Sequence, residues 1–167
     1  MASASRGFTL IELVATVTIL SILAASAIPA VARIGDMQQS GVAARLADDL
    51  RSSRARSIAT ALPNFIRFGA PSDVLWSIVR LPTVATPFTS AVAVIDPTTG
   101  LAAVGPPTGI AVSASIQRGG HLGFDARGRP IASDGLVVTT DAVITVGTVA
   151  QVRISAGSGM VTTSRTP

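Results

Sequence analysis

The apolar and polar positions of this chain change pattern twice, and the first pattern is one long apolar block. Residues 8–32 (FTLIELVATVTILSILAASAIPAVA) contain a single ionisable side chain, Glu12. An α-helix over this block would be about 37 Å long, whereas the hydrocarbon core of a bilayer is about 30 Å thick. The block therefore predicts a hydrophobic helix that can span a membrane.

The second pattern, over residues 33–63, is amphipathic. Apolar residues recur mostly at a spacing of four, with charged residues between them, which is typical of a helix with one apolar face. Pro63 followed by Asn64 should end this helix, because proline cannot continue the backbone hydrogen bonds. The apolar positions are Met37, Val42, Leu46, Leu50, Ile58 and Leu62.

From residue 64 onward, short β-prone runs alternate with clusters of Gly, Pro, Asp and Ser. This alternation predicts antiparallel strands joined by turns, with hairpin turns at residues 125–128 and 134–135 and long loops over residues 82–108. The fold class is therefore α+β: a long N-terminal hydrophobic α-helix packed on a small antiparallel β-sheet head. The predicted strands are residues 65–68, 74–81, 91–95, 109–116, 122–124, 136–140, 143–146 and 151–155.

Composition narrows the class of protein further. The mean hydropathy is +0.56, and much of the apolar excess lies in the N-terminal block. Cysteine is absent, so neither a disulfide nor a cysteine metal site can form. All thirteen basic residues are arginine, and the net charge of +4 makes the chain only mildly basic.

Glu12 is unusual because it lies inside an apolar block. A secretory signal peptide has an apolar region of only about 7–15 residues, which is shorter than this block. A carboxylate in a membrane-spanning segment is costly and indicates a functional partner. The simpler interpretation is that Glu12 lies near the membrane interface and reaches water.

The surrounding residues favour the functional interpretation. Residues 6–13 (RGFTLIEL) closely resemble the prepilin signal of type IV pilins and type II secretion pseudopilins, in which a basic leader and Gly precede Phe and an apolar helix. The resemblance implies that a prepilin peptidase cuts after Gly7, that the new amine of Phe8 is methylated, and that Glu12 pairs with the terminal amine of a neighbouring subunit. A carboxylate is tolerated among apolar helices when a cation neutralises it.

A more specific resemblance rests on three stretches: residues 50–59 (LRSSRARSIA), 123–130 (GFDARGRP) and 152–155 (VRIS). Together they resemble the H-type pseudopilin and FimT-like minor pilin family. DNA-binding FimT-like members carry a basic Gly-Arg-x-Arg segment after the last strand. The matching residues 155–161 contain no arginine, which argues against DNA binding by that route.

These resemblances imply an order of segments and a function. Residues 1–7 would be the prepilin leader, 8–32 the transmembrane and filament-core helix, 33–63 the amphipathic half of the helix, and 64–167 the head. The chain would be a minor pilin or pseudopilin, a structural subunit of a type II secretion pseudopilus or type IV pilus. It would cross the inner membrane once, with its head in the periplasm, and then enter the filament.

The partners implied are other pilin or pseudopilin subunits, the prepilin peptidase and the inner-membrane assembly platform. The less favoured alternative is a DNA-binding minor pilin at a pilus tip that acts in DNA uptake, with Arg127 and Arg129 as contacts. A major pilin is disfavoured because such proteins commonly close a C-terminal disulfide loop. The wider set of candidate DNA contacts adds Arg118, Arg153 and Arg165, set against Asp125, Asp134 and Asp141.

No pattern of residues indicates catalysis. The spacing suggests no catalytic Ser/His/Asp set, phosphate-binding loop or metal-ligand cluster, so we predict no enzyme activity, cofactor or metal. His121, the single histidine, is expected at a strand entrance, as a loop or edge residue. Trp76 is expected in the core.

Overall fold

The computed structural model describes residues 9–69, 74–82, 90–95, 102, 105–106, 109–117 and 120–166, and the side chains of residues 26–32 lie outside that description. The chain divides into two compact units, residues 1–37 and 38–167. The first contains the start of the only helix among the described residues. The second contains the rest of that helix and all the described strands.

The helix α1 spans Leu10–Thr60. It ends three residues before the predicted boundary at residue 63, because Ala61 adopts a left-handed φ of 55°. Such a residue commonly follows a helix, and the next residue, Leu62, precedes a proline, where the helical conformation is disfavoured. The Leu62 N–H instead donates a hydrogen bond to Thr60 Oγ1 at 3.4 Å.

The strands form two antiparallel sheets, which confirms the predicted α+β fold. The first sheet has the strand order β3-β2-β1-β5-β6, and the second has the order β4-β7-β8-β9. The strands are β1 (Asn64–Phe68), β2 (Trp76–Arg80), β3 (Val92–Ala93), β4 (Val112–Ser115), β5 (His121–Phe124), β6 (Pro130–Ala132), β7 (Ala142–Val146), β8 (Ala150–Ile154) and β9 (Val161–Arg165).

Two details of the strand prediction are wrong. Residues 136–140 are not a strand: Val137 makes only an isolated bridge with Ile131, and beyond it the Thr139 N–H donates to the Gln117 side chain. Conversely, the sequence pattern does not predict β6 or β9. The first is short and begins with proline, a weak strand former, and the second is rich in Thr and Ser.

One face of α1 within residues 38–60 is buried. It begins with Ala43, Leu46, Ala47 and Leu50, and it continues with the buried serines Ser53 and Ser57. The predicted continuation through Ile58 is wrong, since that side chain is 48% exposed. At 3.6 residues per turn, position 57 lies about 20° around the helix from Leu50, whereas position 58 lies about 80° away.

The main core joins this helix face to the inward-facing residues of both sheets, among them Trp76, Leu122, Ile144 and Val152. The first sheet also buries part of its outer face, where Phe65, Val79, Leu81 and Ile131 form a second cluster. The Phe65 ring lies directly over β5, so that a Cβ at Gly123 would collide with the ring. Glycine is therefore required at this position.

Ser57 connects the end of α1 to the start of β1. Its hydroxyl donates to the Ser53 carbonyl at 3.0 Å and accepts from the Asn64 backbone N–H at 3.1 Å and from Asn64 Nδ2 at 3.0 Å. All three residues are buried. The Ser57 hydroxyl therefore serves both Asn64 donors without solvent, whereas Ser53 Oγ and Asn64 Oδ1 are buried without a hydrogen-bond partner.

Ser57→Ala should destabilise the head by about 1–3 kcal/mol, because buried donors of Asn64 would lose their acceptor. Urea unfolding measures the change. The matched control is Ser52→Ala in the same helix, an exposed position where a change within about 0.5 kcal/mol is expected. Equal effects of the two substitutions would contradict the role assigned to Ser57.

Candidate functional site

The first turn of α1 places Glu12 in a capping box. The Glu12 backbone N–H donates to Thr9 Oγ1 at 3.3 Å, and the Thr9 N–H donates to Glu12 Oε2 at 3.5 Å. This reciprocal pair satisfies donors that a helix start otherwise leaves without partners. Our sequence reasoning missed it, although Thr-x-x-Glu before an apolar run is a readable signal.

The surface of α1 over residues 10–25 is apolar on all sides. Every side chain in this segment is exposed within the chain. A helix that is apolar around its whole circumference is normally buried in a membrane or among other helices. The large apolar side chains exposed here are Leu10, Ile11, Leu13, Val14, Val17, Ile19, Leu20, Ile22 and Leu23.

The hydroxyl groups of the same segment need no outside partner. Thr16, Thr18 and Ser21 each donate to the backbone carbonyl four residues earlier, at 2.7 Å. Such back-bonding lets a hydroxyl sit in apolar surroundings. Among residues 10–25, the Glu12 carboxylate is therefore the group that most needs a partner when the helix is buried.

The predicted processing positions, Gly7 and Phe8, lie outside the described residues. Within the described part of the chain, no helix combines the length and the sustained apolarity needed to cross a membrane.

The β5–β6 turn brings the two predicted DNA-contact arginines together. Asp125 Oδ1 accepts hydrogen bonds from the backbone N–H groups of Arg127 (2.9 Å) and Arg129 (2.8 Å). Asp125 Oδ2 accepts a hydrogen bond from Arg129 Nε at 2.8 Å, and it also lies 2.8 Å from Arg129 Nη2. Gly128 takes the left-handed φ of 75° that closes the turn, so the predicted hairpin is confirmed.

These contacts make the two arginines unequal. Arg129 is neutralised by Asp125, whereas the exposed Arg127 guanidinium contacts no acid or acceptor among the described residues. Partial burial alone would raise the pKa of Asp125. The N–H donors of Arg129 and Arg127, with the guanidinium of Arg129, outweigh burial and lower the pKa below its ordinary value of 3.8.

The turn also borders a cleft and contacts the helix. A cavity of about 660 Å³ is lined by the end of α1 and by this turn. Arg54 of α1 holds the turn in place, with its Nε donating to the Gly128 carbonyl at 3.0 Å. The lining residues are Ala61, Leu62, Pro63, Pro82, Asp125, Ala126, Arg127 and Arg129.

The remaining candidate cations lie elsewhere. Arg153 lies on β8 of the second sheet, where its Nε is 2.9 Å from Asp141 Oδ2. The Ala156 N–H, more than this guanidinium, lowers the pKa of Asp141. Arg165 ends β9, and Arg118 lies outside the described residues. The structure thus divides the described candidates between two sheets.

Two further residues behave as expected. Trp76 is fully buried, and its Nε1 donates to Asp49 Oδ2 at 2.8 Å, so its predicted core position is confirmed. His121 is the first residue of β5, at the predicted strand entrance. In the described part of the chain, no three His, Asp or Glu side chains gather as metal ligands could.

Comparison with known proteins defines the class of the N-terminal segment. Residues 2–28 match the family model of the prokaryotic N-terminal methylation motif. Neither the curated proteins nor the solved structures give a match. The motif supports a type IV pilin-like or pseudopilin subunit: a structural protein, processed by a peptidase, that associates with other pilin subunits.

Asp125→Asn should reduce the fall in the free energy of unfolding of the head as the pH is lowered into the acid range. The folded-state pKa of Asp125 is lowered, so its contribution is complete above about pH 4 and is lost as pH falls through the folded value. Urea unfolding between pH 7 and pH 2 should show a less stable variant at pH 7 and converging curves in acid. Parallel curves would show that Asp125 does not supply this pH dependence.

Proposed function

We propose that this chain is a minor pilin or pseudopilin, a structural subunit of a type II secretion pseudopilus or type IV pilus. It is anchored in the inner membrane through residues 8–32, with its head in the periplasm, before the assembly platform adds it to the filament. The observation that carries the proposal is the segment at residues 10–25. This segment is apolar on every side, carries one carboxylate, and lies within the methylation motif.

Processing supplies the partner that Glu12 needs. Cleavage after Gly7 creates a new amine on Phe8, which is then methylated and retains a positive charge. When the apolar helices of two subunits pack, this ammonium meets the Glu12 carboxylate of the adjacent subunit. An unpaired carboxylate among apolar helices is strongly unfavourable. Packing that brings the two charges together is therefore favoured over packing that leaves Glu12 unpaired.

The capping box does not compete with this pairing. The contact from the Thr9 N–H to Glu12 Oε2 is long, at 3.5 Å, and therefore weak. A carboxylate has two oxygens and about four acceptor positions, so it can keep this contact and still accept from an ammonium. The cap orients the carboxylate at the start of the helix, where the amine of a neighbour would arrive.

Within the class, we assign the chain to the H-type pseudopilin or FimT-like minor pilin type. Two of the stretches that carry this resemblance, residues 50–59 and 123–130, are in contact through Arg54 and Gly128. They therefore act as one structural unit of the head. The DNA-uptake alternative has weaker support, because Asp125 neutralises Arg129 and Asp141 neutralises Arg153.

Substitutions at Glu12 and Thr9 separate charge from capping. Glu12→Gln removes the charge but can still cap, because Gln also serves in a capping box. This variant should be processed normally yet enter filaments at least about tenfold less, since its partner amine stays unpaired. Thr9→Ala removes the cap, keeps the charge, and should assemble. Quantitative blotting of sheared filaments measures both. Normal incorporation of the Glu12→Gln variant would disprove the charge pair.

Gly7→Ala or Gly7→Val should block processing. Intact-mass analysis of the membrane fraction should then find the chain with residues 1–7 still attached. Ala4→Val, within the same leader but away from the cut, should be processed like the native chain. A native-like mature mass in the Gly7 variants would disprove the assigned cleavage site.

A further inference from the structure

The cleft between the end of α1 and the β5–β6 turn is lined mainly by apolar groups and leaves one positive charge over. Five of its eight lining residues are Ala, Leu or Pro. Asp125 neutralises Arg129, whereas the exposed Arg127 guanidinium contacts no acid or acceptor among the described residues. A group that suits this cleft would therefore carry an apolar side chain beside one carboxylate.

The backbone that presents Arg127 is held in place by the chain itself. Asp125 Oδ1 accepts the Arg127 N–H at 2.9 Å, and Arg54 Nε donates to the Gly128 carbonyl at 3.0 Å. The turn is thus anchored both to its own acid and to α1. A prearranged backbone reduces the conformational entropy that is lost on binding, which favours this turn as a contact point.

Asp36 of α1 is the acid that complements this cleft. Its side chain is exposed, and it forms no hydrogen bond or ion pair with another described residue. It is therefore the described aspartate that is left to meet a cation from outside the chain. The other described aspartates each have a partner: Asp48 binds Arg51, Asp49 binds Trp76, Asp125 binds Arg129, Asp134 accepts from the Leu136 N–H, and Asp141 binds Arg153.

The residue that follows Asp36 supplies the apolar group. Met37 is 74% exposed, more than any other large apolar side chain described beyond residue 33. A methionine side chain is flexible and adapts to an irregular apolar surface. Successive residues of a helix project about 100° apart, so Asp36 and Met37 can contact adjoining parts of one surface. Together they offer the carboxylate and the apolar group that the cleft would accept.

We propose that the cleft of one copy of this chain receives Asp36 and Met37 of a second copy. Asp36 pairs with Arg127, and Met37 packs on the apolar lining. This inference rests on the proposed function and adds to it a contact made outside the apolar segment at residues 8–32. The two surfaces differ, so the contact is heterologous, and heterologous contacts that do not close generate helical filaments.

Charge reversal tests this pair in filaments built from the full chain, with each variant as the sole copy in the cell. Asp36→Arg and Arg127→Asp should each lower the amount of the chain in sheared filaments by about fivefold, because each places like charges together. Combining Asp36→Arg with Arg127→Asp should return the amount to within about twofold of native, because opposite charges meet again. Quantitative blotting, normalised to the processed chain in the membrane, measures all three.

The matched control combines Asp36→Arg with Arg165→Asp, which reverses an exposed arginine on β9. It has the same net charge as the recovering variant but leaves Arg127 unchanged, so the amount in filaments should stay low. Recovery in this control would overturn the proposal, because net charge would then be responsible. Native amounts of both single variants would also overturn it. So would a failure of the variant that reverses Asp36 and Arg127 to recover, because the partner would then be another subunit.

A cross-link tests the same contact without altering either charge. The native chain has no cysteine, so Met37→Cys combined with Ala126→Cys introduces its only two thiols. Oxidation of sheared filaments should join copies of this variant into dimers and longer chains, whereas each single cysteine variant should stay monomeric. Filaments that contain the two-cysteine variant yet yield only monomers would overturn the proposal. Absence of the native chain from filaments would instead refute the proposed function, and this inference with it.

Discussion

The fold of the head depends on one constraint: a single narrow face of α1 must be covered by two separate sheets. Leu46 and Leu50 are completely buried, and the inward-facing residues of both sheets meet them. A small antiparallel sheet needs an apolar surface to pack on before it is stable. The two sheets are therefore held in one domain because they share this part of the helix as their core.

Polar side chains of the helix then fix how the loops lie around that core. Trp76 of the first sheet donates its indole N–H to Asp49, which gives a buried aromatic residue both apolar packing and a partner. Gln39 accepts from the Thr148 N–H at 2.8 Å, in a turn where a Cβ at Gly147 would collide with it. Arg54 reaches the Ser158 carbonyl at 3.0 Å as well as Gly128, so it joins one turn from each sheet. Apolar burial supplies the attraction, and these bonds supply the geometry.

Some of this was predictable from local sequence because its cause is local. The long helix, the β5–β6 turn and the burial of Trp76 follow from periodicity, turn chemistry and composition. The Thr9-x-x-Glu12 cap has an equally local signal and could have been found. The prediction for the helix face beyond Leu50 was wrong because it followed the large apolar residues rather than their angular position around the helix. Ser57 lies on the buried face, and Ile58 does not.

The cross-strand neighbours of Arg67 in the first sheet had no such signal. Ser77, Arg67 and His121 are separated along the chain and become neighbours only through the register of β1 with β2 and β5. A shift of one residue in either pairing would send the partner side chain to the opposite face. That register is set by the burial of Phe65, Val79 and Leu122 in two different clusters, which no single segment reveals.

Several of the described arginines already have acceptors within the chain, which changes the meaning of its positive charge. Arg51 binds Asp48 and the Val161 carbonyl, Arg54 binds two backbone carbonyls, and Arg129 and Arg153 bind acids. A cation that already has an acceptor adds little attraction for a partner, because its field is largely compensated. Net charge therefore says less about partners here than the hydrogen-bond partners of each guanidinium do. By that measure Arg67 differs from these arginines, because its Nε is both buried and without an acceptor.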